Sequence, residues 1–234
     1  MNKLFGVTFK GQGEGPMHNS YLRLDPSAPH AADLLKNLED AARIVNGVWR
    51  LGVESSEPSP AAPLTLIPSY PDLPMEKVYP RVEQIHTAEV FLRERGRGRV
   101  VYFPWDIDRT FWDVLCVDHA KLLANAVHWA TNEEPPVVVT GPGVLDVTVW
   151  RQKNSMTVHL VNLTNPMMMK GPLRELLPVG EQKVHVRLPD GARPGKVTLL
   201  AANHSPKVVH SGSELMVTTS SIVDHEILAI DFKT

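Results

Sequence analysis

Along the chain, apolar and polar positions follow two rhythms, and the rhythm changes after Asn132-Glu-Glu-Pro-Pro136. Upstream, the clearest pattern is a strand, a charged loop and a helix. Arg99-Val-Val-Tyr-Phe103 is a short β-branched and aromatic run, reached through the turn signal Gly96-Arg-Gly98 and stopped by Pro104, which predicts a buried strand. From Asp118, Leu122, Leu123, Ala126, Val127 and Ala130 recur at helical spacing, and Thr110 with Asp113 three residues on can cap a turn before them. Leu4 to Phe9, Tyr21 to Leu24, Asn46 to Val53 and Leu64 to Ile67 read as further strands, and His30 to Leu38 as a short helix. Isolated prolines in Glu57 to Pro63 and at Pro68, Pro71, Pro74 and Pro80 stiffen the connections, since each fixes its own backbone angle and restricts its predecessor.

Downstream, Val137 to Thr140, Val144 to Arg151, Met156 to Leu163, Lys183 to Leu188, Lys196 to Ala201, Leu215 to Thr218 and His225 to Ile230 are short β-rich runs separated by turn residues, with no helical pattern between them. About seven such strands predict an antiparallel β-sandwich over residues 135–234. Residues 1–134 then form an α/β domain. Upstream of Glu89 this domain has one short helical candidate and no strong parallel-strand run, so the chain is expected to begin inside a domain, as a truncated or split gene product would. A reduced but independent sheet is the alternative.

Composition narrows the classes. The 234 residues are 43% hydrophobic with a formal net charge of -2, which fits an ordinary folded protein with a sizeable core. No strongly basic face points to nucleic acid; Arg93, Arg95, Arg97 and Arg99 alternate with other residues and read as solvated strand and turn positions. No run approaches the ~20 apolar residues of a membrane span, and Lys10 interrupts an N-terminal stretch already too short for a signal peptide. The single cysteine, Cys116, excludes an intrachain disulfide and fits a reducing, cytoplasmic setting. Gly11-Gln-Gly-Glu-Gly15 is followed by Pro16 and a strand rather than a helix, which argues against a phosphate loop.

The loop Trp105-Asp-Ile-Asp-Arg109 lies at the carboxyl end of a predicted strand, where open α/β sheets place their ligands. Asp106 and Asp108 are the tempting acid pair for hydrolysis, but capping, turn formation or pairing with Arg109 is the plainer use of two carboxylates at this spacing. Cys116, with His119 three residues on, lacks the flanking glycines of a nucleophile elbow and reads as a structural thiol. The histidines are scattered and Met167-Met-Met169 reads as packing material, so no metal and no cofactor are expected. The sequons at Asn162 and Asn203 read as chance. Trp105, Asp106, Asp108, Arg109 and Trp112 together supply aromatic and charged groups suited to a carbohydrate platform, or alternatively to packing and a subunit contact; Trp129 and Trp150 fall on positions expected to be core.

Two longer strings, Phe9 to Leu24 (FKGQGEGPMHNSYLRL) and Pro68 to Arg81 (PSYPDLPMEKVYPR), together with GRGRVVYFPWDIDRTFW and DHAKLLANAVHWA, resemble a group of hypothetical glycoside hydrolases of the β-galactosidase trimerisation type. The resemblance covers most of the chain and rests on family-typical strings rather than catalytic signatures. It implies an incomplete flavodoxin-like, class I glutamine-amidotransferase-like α/β domain followed by a C-terminal β-sandwich. It also implies that the acid and nucleophile belong to a catalytic barrel outside this chain, which would be the partner here, and that this region can mediate homo-oligomerisation. The expected function is therefore a non-catalytic accessory and assembly part. The alternatives are a free-standing carbohydrate-binding module and a small hydrolase using Asp106, Asp108 or Cys116.

Overall fold

The computed structural model describes residues 2–56, 61–70, 86–164 and 175–233. The Met167-Met-Met169 run and most of the two proline-rich connections lie outside them. The chain divides into two compact units, 1–134 and 135–234.

The first unit runs α1 (Asn2–Phe5), β1 (Val7–Glu14), β2 (Tyr21–Leu24), α2 (Ala31–Leu34), β3 (Arg43–Val45), β4 (Arg50–Ser55), β5 (Leu64–Ile67), β6 (Phe91–Arg95), β7 (Gly98–Tyr102), α3 (Ile107–Val114) and α4 (Val117–Thr131). Its sheets are β1-β4, β3-β2-β5 and β6-β7, and every described ladder is antiparallel. A succession of parallel strands and helices, expected of an α/β domain, is therefore not found among the described residues. The run at Arg99 is one arm of a hairpin, because Gly96 takes φ +61° and turns the chain so that Arg95 faces Gly98. That strand is half-buried rather than enclosed.

Local differences from the sequence reading have physical causes. Leu4 to Phe9 is split: a helical turn ends at Phe5, Gly6 takes φ +67°, and β1 continues through the glycines to Glu14 with only Val7 buried. An exposed two-stranded ribbon has no apolar alternation to read. His30 to Leu38 is helical only over α2, with left-handed backbone at His30 and Asn37. Asn46 to Trp49 is drawn out of β4 by polar contacts, Asn46 donating to Ser20 Oγ and accepting from the Gly47 N–H. Thr110 lies inside α3, whose N-cap is Asp106. The long helix α4 buries His119, Leu122, Ala126 and Trp129, while Val127 faces solvent. These positions join Leu22, Leu34, Leu64, Trp105 and Ile107 around one core, except that His119 and Trp129 flank it.

The second unit contains β8 (Val137–Thr140), β9 (Leu145–Arg151), β10 (Ser155–Asn162), β11 (Gln182–Arg187), β12 (Arg193–Leu199), β13 (Lys207–Ser211), β14 (Glu214–Thr219) and β15 (His225–Lys233). They form two four-stranded antiparallel sheets, ordered β12-β15-β10-β9 and β13-β14-β11-β8. Val158, Leu160, Leu228 and Ile230 from one sheet share a core with Val184, Val186, Leu215 and Val217 from the other, as in a β-sandwich. β10 alternates half-buried and buried along its whole length, matching its sequence alternation. Within this unit, β13 is the strand that the sequence pattern did not reveal, as β3 is in the first. It is a mostly exposed edge, so nothing forces it to alternate.

Asn162 closes this sandwich at the end of β10. Its buried amide donates to the carbonyls of Leu177 and Val223 at 2.8 Å, and its Oδ1 accepts the Thr164 N–H at 2.9 Å. Replacing it with alanine leaves these part-buried backbone groups without their partner, so Asn162→Ala is expected to cost about 1–3 kcal/mol, read by chemical denaturation.

Candidate functional site

The nominated loop leaves the β6-β7 hairpin at Phe103 and runs beside the start of β4. Leu51 N–H donates to Pro104 O and Asp106 N–H to Trp49 O, making a short antiparallel contact of residues 49–51 with 104–106. A Cβ at Gly47 would collide with Asp106 Oδ1 and the Trp105 ring, so this close approach needs a glycine.

The five nominated residues do not converge on one surface. Trp105 is 5% exposed; its indole N–H donates to Glu89 O at 2.9 Å and its ring meets Phe103 and His119 edge to face. It is a core residue and cannot stack on a sugar, because its faces are already covered. Asp106 Oδ1 accepts the Trp49 N–H at 3.0 Å and the Thr110 hydroxyl at 3.4 Å, while Oδ2 is buried with no hydrogen-bond partner among the described residues. Asp108 and Arg109 are exposed on α3, and Arg109 pairs with Asp113 at 3.7 Å. Trp112 is 56% exposed, beside exposed Val114, Leu115 and Val117 at the α3-α4 corner.

Cys116 is the N-cap of α4 and follows Leu115, whose left-handed backbone makes that corner. His119 is fully buried and its Nε2 lies 2.8 Å from Val45 O. That contact, together with the Trp105 ring, holds the imidazole in place as a packing element.

Beneath the loop lies a charged cluster that the sequence reading missed. The Arg50 guanidinium bridges two carboxylates, with Nη1 2.8 Å from Glu14 Oε2 and Nη2 2.8 Å from Glu89 Oε1. Arg50 and Glu89 side chains are 4% and 0% exposed, whereas Glu14 is half-exposed. Burial pushes the Glu89 carboxyl up to about 7, against the pull of Arg50, and Glu14 adds to the rise. Burial and the nearby Glu89 also raise the Tyr102 phenol. A proton-holding carboxyl is what a general acid needs, but this one has no route to a substrate.

A cavity of about 640 Å³ lies elsewhere in this unit, lined in part by Asp25, Glu54, Thr65, His86 and Phe91. Its two carboxylates are not set for acid catalysis. Hydrogen bonds from the Ser27 hydroxyl and N–H hold Asp25 below its usual range, and Glu54 pairs with Lys10. Among the described residues there is no group of three or more His, Cys, Asp or Glu side chains placed to hold a metal ion, and no helix is long and apolar enough to cross a membrane. In the second unit, Trp150 is 62% exposed, contrary to its expected core position, because its side of β9 faces away from the partner sheet. The same outer face carries His159 and His225, which no local pattern linked.

No family profile matches the chain, and no curated protein matches it in sequence. Solved structures do match in fold. α-L-Fucosidase isoenzyme 2 from Paenibacillus thiaminolyticus superposes over 99% of this chain and 34% of its own, with a TM-score of 0.67 and 15% identity. The β-galactosidase from Bacillus circulans sp. alkalophilus does so over 98% of this chain and 25% of its own, with a TM-score of 0.53 and 12% identity. This chain therefore has a fold found in glycoside hydrolases, and it spans about a third or less of the length of these two enzymes.

Proposed function

We propose that this chain is a non-catalytic accessory and assembly region of a carbohydrate-active glycoside hydrolase of the β-galactosidase type, working beside a catalytic barrel in the same or a separate chain. In this reading residues 1–134 are part of an amidotransferase-like domain and residues 135–234 its C-terminal sandwich. The observation that carries it is the state of Glu89. Its carboxyl is lifted to about 7 by burial, yet it is sealed from solvent and tied to Arg50. Glycoside hydrolysis needs two carboxyl groups facing each other across the sugar, one of them protonated. Asp106, committed to the Trp49 N–H, and the exposed Asp108 do not make such a pair. Partial coverage of the two glycosidases fits the same reading. Cys116 supports it too: a cysteine at a helix N-cap, beside a histidine held by Val45 O, departs from the nucleophile elbow of an amidotransferase.

The test is turnover. The isolated chain is expected to release no nitrophenol from 4-nitrophenyl β-galactoside or α-fucoside above the buffer rate. Activity that disappears in Asp106→Ala or Asp108→Ala would overturn the proposal in favour of a small hydrolase.

A further inference from the structure

The outer face of the β12-β15-β10-β9 sheet brings together two histidines that are 66 residues apart in sequence. β10 and β15 are antiparallel neighbours with Val161 opposite His225 and His159 opposite Ile227, which makes the two histidines diagonal neighbours. Val158 and Leu160 beside His159 point into the core, as do Glu226 and Leu228 beside His225, so strand alternation sends both imidazoles outward. His159 Nδ1 lies 3.2 Å from His225 Nε2, with the ring planes 21° apart. Both residues are half-buried.

We infer that this histidine pair is a two-ligand site for a divalent transition-metal ion of the zinc type. A nitrogen separation of 3.2 Å with Zn–N bonds of about 2.0–2.1 Å subtends about 103° at the ion, close to the tetrahedral value. The far nitrogen of His159, Nε2, lies 3.4 Å from the Thr157 hydroxyl, which can accept its N–H and so leave Nδ1 as the ligand atom. A neutral imidazole has one lone-pair nitrogen, so the tautomers that carry their N–H on His159 Nε2 and His225 Nδ1 leave both facing nitrogens free to ligate the ion. Water fills the remaining positions, as expected where only two side chains converge. Imidazole nitrogen suits zinc, copper and nickel, whereas magnesium and calcium prefer oxygen ligands.

This site is independent of the accessory-region reading: it uses no residue of the first unit, and its test does not measure sugar turnover. Untagged full-length chain is dialysed to equilibrium against Zn²⁺, then against EDTA. The wild type is expected to bind one zinc per chain reversibly, and zinc is expected to raise its melting temperature, since the unfolded chain loses the cross-strand geometry. His159→Ala and His225→Ala should each weaken this equivalent at least tenfold and abolish the melting shift. Thr157→Val, which removes only the positioning hydroxyl, should weaken it by about 10–100-fold. His210→Ala, at an exposed histidine on β13, should change nothing. Far-ultraviolet circular dichroism checks each fold, and His159→Gln replaces the alanine variant if that fails to fold. Undiminished zinc affinity in the folded His159 or His225 variants, or no saturable binding by the wild type, would overturn the inference.

Discussion

Arg50→Ala is expected to destabilise the first unit by about 3–5 kcal/mol at pH 8, and by clearly less at pH 4.5. Removing the guanidinium leaves Glu89 in a site with no exposure and no compensating charge. The pH dependence follows from Glu89 itself. Its carboxyl is raised from 4.5 to about 7 in the folded state, so between those values the folded protein holds a proton that the unfolded chain has released. The stability this contributes is fully present below pH 4.5 and is lost as pH rises through about 7, a change on the order of 3 kcal/mol. Without Arg50 the opposing pull disappears, the folded value moves higher, and the deficit widens with pH. Urea denaturation at pH 4.5, 6 and 8 measures it, with tryptophan fluorescence as the probe, because four of the five tryptophans lie in the first unit. Glu89→Gln should flatten the wild-type slope over the same range. A deficit in Arg50→Ala that does not change with pH would mean that Glu89 stays ionised throughout.

Trp105→Ala is expected to cost about 3–5 kcal/mol, whereas Trp112→Ala should stay within about 0.5 kcal/mol. The two residues are seven apart and looked equivalent as a sugar platform. In the fold, Trp105 fills the core between Phe103 and His119 and hydrogen-bonds Glu89 O, so truncation opens a cavity and also strands a carbonyl. Trp112 is more than half exposed and loses little packing. The comparison is made on one denaturation curve per variant. A small effect at Trp105 would place its ring outside the core and restore the loop as a binding surface.

Where a local period existed, it could be read. The alternation from Met156 to Leu163 marked β10, and the 3.6-residue spacing after Asp118 marked α4, although the buried stripe centres on His119, Leu122, Ala126 and Trp129 rather than on Val127. Where no such period existed, reading failed: β1 is an exposed ribbon and β13 an exposed edge, and neither carries apolar alternation. The candidate site was legible only as a loop. Its residue types suited a carbohydrate platform, but their directions were set by contacts with Gly47, Trp49 and Arg50 from a distant segment.

Local apolar pattern was enough to specify the helix α4, the strand content of residues 135–234 and the antiparallel sandwich they build, because these follow from which side of a local element is apolar. Long-range packing, by contrast, brought Arg50 to Glu14 and Glu89 and His159 to His225, and it enclosed Trp105 while leaving Trp150 in solvent. The reason is physical. Periodicity specifies that a face is to be buried, but ion pairs, facing imidazoles and ring burial depend on which remote segment covers that face, and no local pattern carries that information.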